Sequence, residues 1–372
     1  MRFPEFSGEW EYVTLSDIVT RVTRKNKNNE SRLPLTISAQ YGLVDQISFF
    51  NKVVASADMS NYYLLKEGEF AYNKSYSSEY PWGAIKRLDR YPQGALSSLY
   101  ICFGINDNVD SDFLVHYFES SKWYKEVSNI AGEGARNHGL LNIAVGDFFN
   151  TAHCIPATSK EQQKIAALLN LITERIATQI KIIEKLESLI KGLYERLFNI
   201  DSAAYIQLGN VAKIQKGQQI NGEELSEIGS YYVMNGGVVP SGYLEDFNTP
   251  ANTISISEGG NSCGYVQYNG VPFWSGGHCY TLIEPINSFN YKYLFHYLKF
   301  KEQSIMALRI GSGLPNIQKK DLERFPILNV SKEEQDKLAC IFDDILDRII
   351  CEHQIALKYE EQKKYLLSNL FI

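Results

Sequence analysis

The sequence predicts an α+β fold built twice over. Two mixed segments stand in tandem, each followed by a helix of about 40 residues, and the two helices pack together as a coiled coil. Three observations carry this. The chain repeats itself, and residues 158–198 and 331–371 align at a constant offset of 173. Each repeat ends in a long run whose apolar residues recur every three or four positions. The remainder alternates short strand-like runs with glycine-rich breaks.

The repeat comes first, because it fixes the plan of everything else. Residues 158–198 and 331–371 align without a gap. Glu161-Gln162 falls on Glu334-Gln335, Ala166 on Ala339, Arg175-Ile176 on Arg348-Ile349 and Leu197-Phe198 on Leu370-Phe371. Upstream, Gly139-Leu140-Leu141-Asn142-Ile143 matches Gly313-Leu314-Pro315-Asn316-Ile317, and His116-Tyr117-Phe118 matches His296-Tyr297-Leu298. Near the starts, Tyr12-Val13-Thr14-Leu15 matches Tyr205-Ile206-Gln207-Leu208. The domains are read as mixed segments at 1–157 and 201–330 and helices at 158–200 and 331–372, with Asn199 to Ala203 as the junction between the copies. Between Leu15 and His116, and between Leu208 and His296, the copies diverge strongly. A shared frame with different filling is the pattern of two readers with different targets.

The helices are well specified. Thr158 and Ser331 are placed as N-caps, each with Glu three positions on (Glu161, Glu334). That is the capping box, which satisfies the free N–H groups of a first turn. The first stripe runs Ile165, Leu169, Ile172, Ile176, Ile180, Ile183, Leu186, Ile190, Leu193 and Leu197, with a mean spacing near 3.6. The second runs Leu338, Ile341, Ile345, Ile349, Ile355, Tyr359, Leu366 and Leu370, with Glu352 and Gln362 near its seam. At 1.5 Å per residue each helix is about 60 Å long. That exceeds an ordinary domain helix, so the two are read as packing on each other and acting as a spacer.

In the mixed segments, Thr253-Ile254-Ser255-Ile256-Ser257 and Ser98-Leu99-Tyr100-Ile101-Cys102-Phe103 read as strands. Breaks at Gly236-Gly237, Gly259-Gly260 and Gly276-Gly277 surround them, and 111–128 and 290–307 read as amphipathic helices.

Composition excludes several classes. A chain of 372 residues is too long for one ordinary core. With 44% hydrophobic and 22% charged residues it is globular rather than disordered. The mean hydropathy is −0.24, and no uncharged apolar run approaches the roughly 18 to 20 residues of a membrane span. The N-terminus, Met1 to Phe6, lacks the apolar core of a signal peptide, so a cytoplasmic location without membrane contact is expected. The six cysteines form no Cys-x-x-Cys pair. Cys351 with His353 and His278 with Cys279 are read as ordinary residues rather than metal ligands, and the cysteines as scattered thiols. The formal net charge is −6 and no segment is strongly basic. Coating nucleic acid through bulk charge is thereby disfavoured; presenting a few basic groups on one face is not.

Catalytic motifs are missing. There is no G-x-x-x-x-G-K-[ST] phosphate loop, no G-x-G-x-x-G after a strand, no H-E-x-x-H, no G-x-S-x-G and no Asn-Pro-Pro-Tyr-like methyltransferase motif. Gly259 to Gly264 reads as a tight turn, and His278 as an ordinary histidine rather than the base for Ser275 or Cys279. No catalytic and no metal-binding residue is assigned.

The residues suited to reading DNA are polar and cluster in loops. Arg21, Arg24, Lys25, Lys27 and Arg32 fall within twelve residues, interleaved with Asn26, Asn28 and Asn29. Long cations reach phosphates or guanine O6 and N7. A second cluster holds Tyr72, Lys74, Tyr76 and Lys86, where aromatics beside cations suit stacking or sheet packing equally. Arg136 and Asn137 precede one shared motif; Arg309 and Ser312 precede its copy. In the second segment Lys216, Gln218, Gln219 and Asn221 are candidates, with Asn261, Asn235 and Ser257 behind them, since Gln and Asn pair with adenine.

This architecture resembles the specificity (S) subunit of type I restriction–modification systems. Arg2-Phe3-Pro4-Glu5-Phe6 with Trp10 and Leu15 is similar to the usual start of that family. So are the hinges into the helices, Ile155-Pro156 before Glu161-Gln162 and Phe325-Pro326 before Glu334-Gln335. Thr253 to Gly264 with Pro272 to Gly277, and Leu64 to Ser75 with Gly94 to Ser98, resemble one family of target-recognition domains. The resemblance covers nearly the whole chain.

It implies two tandem target-recognition domains, each reading half of a split double-stranded DNA target. Their helices form an antiparallel coiled coil with a pseudo-twofold repeat, which fixes the gap between the half-sites. It also implies that the helices bind two methyltransferase subunits that methylate adenine N6, and that restriction motor subunits complete an ATP-dependent nuclease. S-adenosylmethionine, ATP and Mg are then expected on the partners and no cofactor on this non-catalytic chain. The residues proposed for helix pairing and subunit binding are Ile165, Leu169, Ile172, Ile176, Ile183, Leu186, Leu193, Leu338, Ile341, Ile345, Ile349, Tyr359 and Leu366. The alternatives are a coiled-coil adaptor that binds protein partners without DNA readout, and a self-contained enzyme, which would need the missing motifs.

Overall fold

The computed structural model describes residues 1–136, 139–200, 204–311, 313 and 315–372, the side chains of 133–136 excepted. Two compact units divide the chain: Met1–Thr178 with Ile355–Ile372, and Gln179–Gln354. Each holds one mixed segment and a stretch of both long helices, Ser159–Phe198 and Lys332–Asn369.

In the first unit, strand Glu11–Thr14 pairs antiparallel with Ala152–Ile155 and closes the mixed segment just before the long helix. Inside lie two four-stranded sheets. One runs 19–21, 101–105, 70–73, 84–87, antiparallel throughout. The other runs 42–45, 34–38, 93–96, 63–66, with a parallel pair between Pro34–Ser38 and Gln93–Leu96. Strand Phe70–Asn73 shows why the first sheet is hydrophobic on both faces. Phe70 and Tyr72 point into the core beneath helix Ser111–Glu119, while Ala71 points into the core shared with Leu35, Ile37, Leu65 and Leu96. Period-two alternation sends neighbouring residues to opposite cores.

The second unit repeats the strand order of the first of these sheets and keeps three strands of the other. Its four-stranded sheet runs 213–216, 279–283, 253–257, 266–269, and its smaller sheet runs 243–244, 231–234, 274–275. That second sheet, three-stranded where the first unit has four strands, also contains a parallel pair, Tyr231–Met234 with Trp274–Ser275. The repeat therefore continues through the stretches where the sequences diverge. The helices read at 111–128 and 290–307 each form in two pieces, Ser111–Glu119 with Tyr124–Ile130 and Tyr291–Phe300 with Glu302–Met306.

Three side-chain anchors recur in both units. Gln162 accepts the Asp110 N–H at 2.8 Å and donates to the Pro156 carbonyl at 2.9 Å. Gln335 accepts the Asn290 N–H at 2.7 Å and donates to the Val330 carbonyl at 2.9 Å. Pro156 is thus matched by Val330, not by Pro326 as the hinge resemblance suggests; Pro326 sits in the closing strand opposite Gln207. His116 meets Asn170 at 2.8 Å, and His296 meets Asp343 at 2.9 Å. Phe371 packs on Phe113 and Tyr117, and Phe198 packs on Tyr293 and Tyr297.

The helix stripes carry a correction. On the first helix one covered stripe runs 165, 169, 172, 176, 179, 183, 186, 190, 193 and 197; on the second its counterpart runs 338, 342, 345, 349, 352, 356, 359, 363, 366 and 370. The gaps alternate 3 and 4, a 3.5-residue period, which is the heptad of a left-handed coiled coil. The two sets coincide under the 173-residue offset. Ile341 is 45% exposed and does not belong to the seam; its neighbour Phe342 is fully buried there. Ile180 is likewise exposed while Gln179 is buried. Glu352 is buried, as its place in the pattern suggests, but Gln362 is exposed. Ile165, Leu169, Ile172, Ile183, Leu338, Ile349 and Leu366 are buried, and Ile176, Leu186, Leu193, Ile345 and Tyr359 are half-buried. In the first unit Ile165, Leu169 and Ile172 share a core with Leu366, Leu370 and Phe371; in the second, Ile190, Tyr194 and Phe198 share one with Leu338, Phe342 and Ile349. The start of one helix therefore lies with the end of the other, in each unit.

Half of each capping box forms. The Thr158 hydroxyl accepts the Glu161 N–H at 3.4 Å, and the Ser331 hydroxyl accepts the Glu334 N–H at 3.2 Å. The Glu161 carboxylate instead takes two bonds from Arg2, at 2.7 and 2.8 Å, and one from the Trp10 indole. This ties the N-terminal segment to the helix start.

Candidate nucleic-acid interface

In each unit one four-stranded sheet, 19–21/101–105/70–73/84–87 in the first and 213–216/279–283/253–257/266–269 in the second, has one end committed to helices and one end made of loops. In the first unit, strand Val19–Arg21 follows helix Leu15–Ile18, and strand Ile101–Ile105 leads to helix Ser111–Glu119. The opposite strand ends open into loops 22–33, 74–83 and 97–100. The second unit repeats this, with loops 217–230, 258–265 and 276–278. The polar residues singled out in the sequence gather at these loop ends, where a rigid scaffold presents variable side chains.

In the first unit the basic loop is built, not floppy. Asn26 is fully buried, and its side chain bonds both the N–H and the carbonyl of Ser31. Asn28 and Asn29 take positive φ, which asparagine tolerates better than most residues. Arg24 is held by Glu69 through two bonds, at 2.7 and 2.9 Å. Lys25 donates to the Asn61 carbonyl and lies over the Tyr63 ring. Lys27 and Arg32 are exposed, and among the described residues neither has an ion-pair partner. Tyr76 is exposed beside the hairpin 132–142, whose Gly139 carbonyl accepts its N–H. Lys74 is half-buried, and its carbonyl accepts the Leu141 N–H. Asn137 and Ser312 lie outside the described residues, as does the side chain of Arg136.

Two candidates are corrected. Tyr72 is fully buried, stacks on Phe148 and donates to the Trp82 carbonyl; it is core. Lys86 is mostly buried and faces Glu119, which also meets Lys363 at 3.0 Å and His116 at 3.3 Å. Burial pushes the Lys86 ammonium down, against the pull of Glu119. Burial alone would raise Glu119, but the His116 bond and the two lysines outweigh it and hold the carboxyl at about 2. This charge cluster fastens sheet, helix and C-terminal helix together and leaves Lys86 unable to reach DNA.

In the second unit the loop end forms a cleft of about 610 Å³, lined among others by Lys216, Asn235, Glu258, His278 and Asn316. Glu258 is buried and central. It accepts from Lys216 Nζ at 2.7 Å and from the Tyr280 hydroxyl at 3.0 Å. Burial and the Glu258 bond push the Tyr280 hydroxyl up. Gln218 and Gln219 are exposed on the adjoining loop, where the Gln218 N–H bonds the Ser275 carbonyl and Gln219 lies against Gly277. Asn261 and Arg309 are exposed on neighbouring turns. Gly259 to Gly264 is the expected tight turn, with Gly260 and Gly264 at positive φ. Burial pushes the Cys279 thiol up to about 11, unsuited to a nucleophile. Sequence reasoning passed over Glu258. The available signal was a carboxylate ending the alternating strand Thr253–Ser257 and entering a glycine turn.

Residues 201–360 match the family model for the type I restriction modification DNA specificity domain. A protein of Mycoplasma pneumoniae named as a type I specificity subunit is 37% identical over 169 residues, 44% of each chain. One from Mycoplasma genitalium is 32% identical over 163 residues, 42% of each. The chain thus spans less than half the length of these curated relatives. Over its whole length it shares the fold of the crystal structure of a type I S subunit from M. genitalium, with a TM-score of 0.68 at 19% identity, covering 100% of this chain and 99% of that one. The second repeat is thus similar in sequence to the type I DNA specificity domain, and the whole chain shares the fold of a type I S subunit. A second structure, from work on complex assembly of a type I restriction–modification system, aligns over 98% of this chain and 97% of the other, with a TM-score of 0.58. The family model falls on the second repeat; the first repeat shares the order of the first four-stranded sheet and the same three anchors. Among the described residues no helix is long and apolar enough to cross a membrane.

Proposed function

We propose that this chain is the sequence-reading subunit of a type I restriction–modification complex. It binds double-stranded DNA, each recognition domain contacting one half of a split target through the loop end of its sheets. The long helices hold two methyltransferase subunits and set the gap between half-sites. Restriction motor subunits complete the assembly. S-adenosylmethionine, ATP and Mg belong to those partners, and this chain does no chemistry itself. Working on DNA beside such partners, it acts in the cytoplasm.

One observation carries the reading. The same four-stranded sheet order occurs twice, with a different polar set at each loop end: Lys27, Arg32 and Tyr76 in one, Lys216, Gln218, Gln219 and Arg309 in the other. Two scaffolds with different edges suit an asymmetric, two-part target. Nothing in the fold favours the adaptor alternative.

The test is methylome sequencing of cells that carry this chain with a partner methyltransferase, against cells that lack it. A two-part N6-methyladenine motif that vanishes with the chain supports the reading. A reconstituted complex without sequence preference overturns it.

A further inference from the structure

We propose that the cleft around Glu258 in the second recognition domain reads a guanine, with Lys216 and Asn235 as donors and Glu258 as the positioning residue behind Lys216. This rests on the DNA-reading function proposed above.

The donors are fixed before any ligand arrives. Lys216 Nζ is tethered at 2.7 Å to Glu258 Oε1, which spends one of three N–H groups and leaves two for the cleft. Asn235 accepts the backbone N–H of His278 at 3.1 Å through Oδ1, so its amide N–H groups remain available. Glu258 is held in turn. Its N–H bonds the His278 carbonyl at 2.9 Å, its carbonyl accepts the Ile317 N–H at 2.8 Å, and its Oε1 takes the Tyr280 hydroxyl. The walls are bare backbone at Gly236, Gly237, Gly259 and Gly260. Gly236 and Gly260 have positive φ, so side chains there would be strained as well as obstructive. The volume of about 610 Å³ admits the edge of a base.

An acceptor-rich group fits these donors. DNA offers two, the O6/N7 edge of guanine and a backbone phosphate. Charge decides between them. The Lys216 ammonium is already neutralised by the buried Glu258 carboxylate, which would repel a phosphate. The guanine edge carries only partial negative charge and is repelled far less than a phosphate, and a lysine donating to O6 and N7 is a common specific contact.

The test uses the chain assembled with its methyltransferase partner, on duplexes varied one base pair at a time through the second half-site. Lys216→Met is expected to reduce discrimination at a single G·C pair by roughly ten- to a hundredfold, leaving other positions and the salt dependence unchanged. Replacing that guanine by 7-deazaguanine should weaken the wild type and not Lys216→Met. Glu258→Gln frees the lysine; it should lower discrimination at the same pair and steepen the salt dependence, which mere loss of folding would not do. Uniform weakening of all sequences by Lys216→Met, with a salt slope shallower by about 1, would mark a phosphate contact and overturn the proposal. So would unchanged discrimination. Absence of any sequence preference in the wild-type complex would instead overturn the functional reading beneath it.

Discussion

Gln179 and Glu352 hold the same place in the two repeats, 173 residues apart, and they meet. The Gln179 amide donates to both the carboxylate and the backbone carbonyl of Glu352, the latter at 3.3 Å, and Arg348 pairs with the same carboxylate. Both residues are buried, between Ile176 and Ile183 on one helix and Ile349 and Ala356 on the other. A residue that contacts its own repeat equivalent marks the point about which an antiparallel pair is symmetric. A polar pair there fits a device that fixes register.

Gln179→Leu should therefore destabilise the chain by roughly 2–3 kcal/mol, because it strips a partner from a buried carboxylate. Adding Glu352→Leu should recover most of that loss. Urea denaturation of both single variants and the double variant measures the coupling. Simple additivity of the two changes would show that the pair is not a unit.

Phe198 and Phe371 play one role twice, so their removal should be separable. Phe371→Ala should cost about 3–5 kcal/mol, with lost hydrogen-exchange protection centred on Met1–Thr178. Phe198→Ala should do the same within Gln179–Gln354. Identical exchange maps for the two variants would contradict this.

The basic loop of the first domain divides by pairing. Lys27→Ala and Arg32→Ala should each weaken DNA binding evenly across sequences and reduce the salt slope by about 1. Arg24→Ala should mainly loosen the loop, since its guanidinium already serves Glu69. Binding titrations at several salt concentrations, beside thermal melts, separate the two outcomes.

Acid should destabilise the fold in steps. Burial holds His153 neutral, with its titration lowered to about 4, between the Tyr117 and Thr151 hydroxyls. Burial also lowers His296, against the pull of Asp343. A histidine lowered on folding gives stability that is full above its unfolded value of about 6.5 and is lost as pH falls toward the folded value. For His153 this amounts to something on the order of 3 kcal/mol. Glu119, held at about 2, adds a second loss as pH falls from about 4.5 toward 2. Thermal melts from pH 7.5 to 4.5 should show a falling midpoint, and His153→Gln should flatten that fall. A flat wild-type profile would contradict the assignment.

The proposed ruler role predicts a length effect. Seven residues inserted after Gln179 together with seven after Glu352 lengthen both helices by about 10 Å while keeping heptad phase. The methylated motif should keep both halves and gain roughly three base pairs between them. An unchanged gap would remove the helices from the role of spacer.

What the sequence disclosed was whatever repeats locally. The 173-residue offset already pairs Gln162 with Gln335 and Phe198 with Phe371, and the structure gives each pair one job. The helix phase slipped where an isoleucine stood beside a better-placed residue. Ile180 and Ile341 look more apolar than Gln179 and no less apolar than Phe342, and hydrophobicity alone cannot choose between adjacent positions. The proposed DNA face was legible only as a set of loops. Tyr72 and Lys86 have the right chemistry, but strand alternation and a carboxylate from a helix more than thirty residues on decide that they point inward. The shared strand plan was hidden for the same reason, since sheet pairing is nonlocal and survives replacement of nearly every residue within it.

The first unit draws its last eighteen residues from the far end of the chain, Ile355–Ile372, whereas Gln179–Gln354 is continuous. On the ribosome this reverses the usual order of completion. The segment made first must wait for the final turns of the last helix, with Phe113 and Tyr117 uncovered until Phe371 arrives. The segment made second can close earlier. Loss of Phe371 and the residues around it would therefore damage Met1–Thr178 rather than Gln179–Gln354.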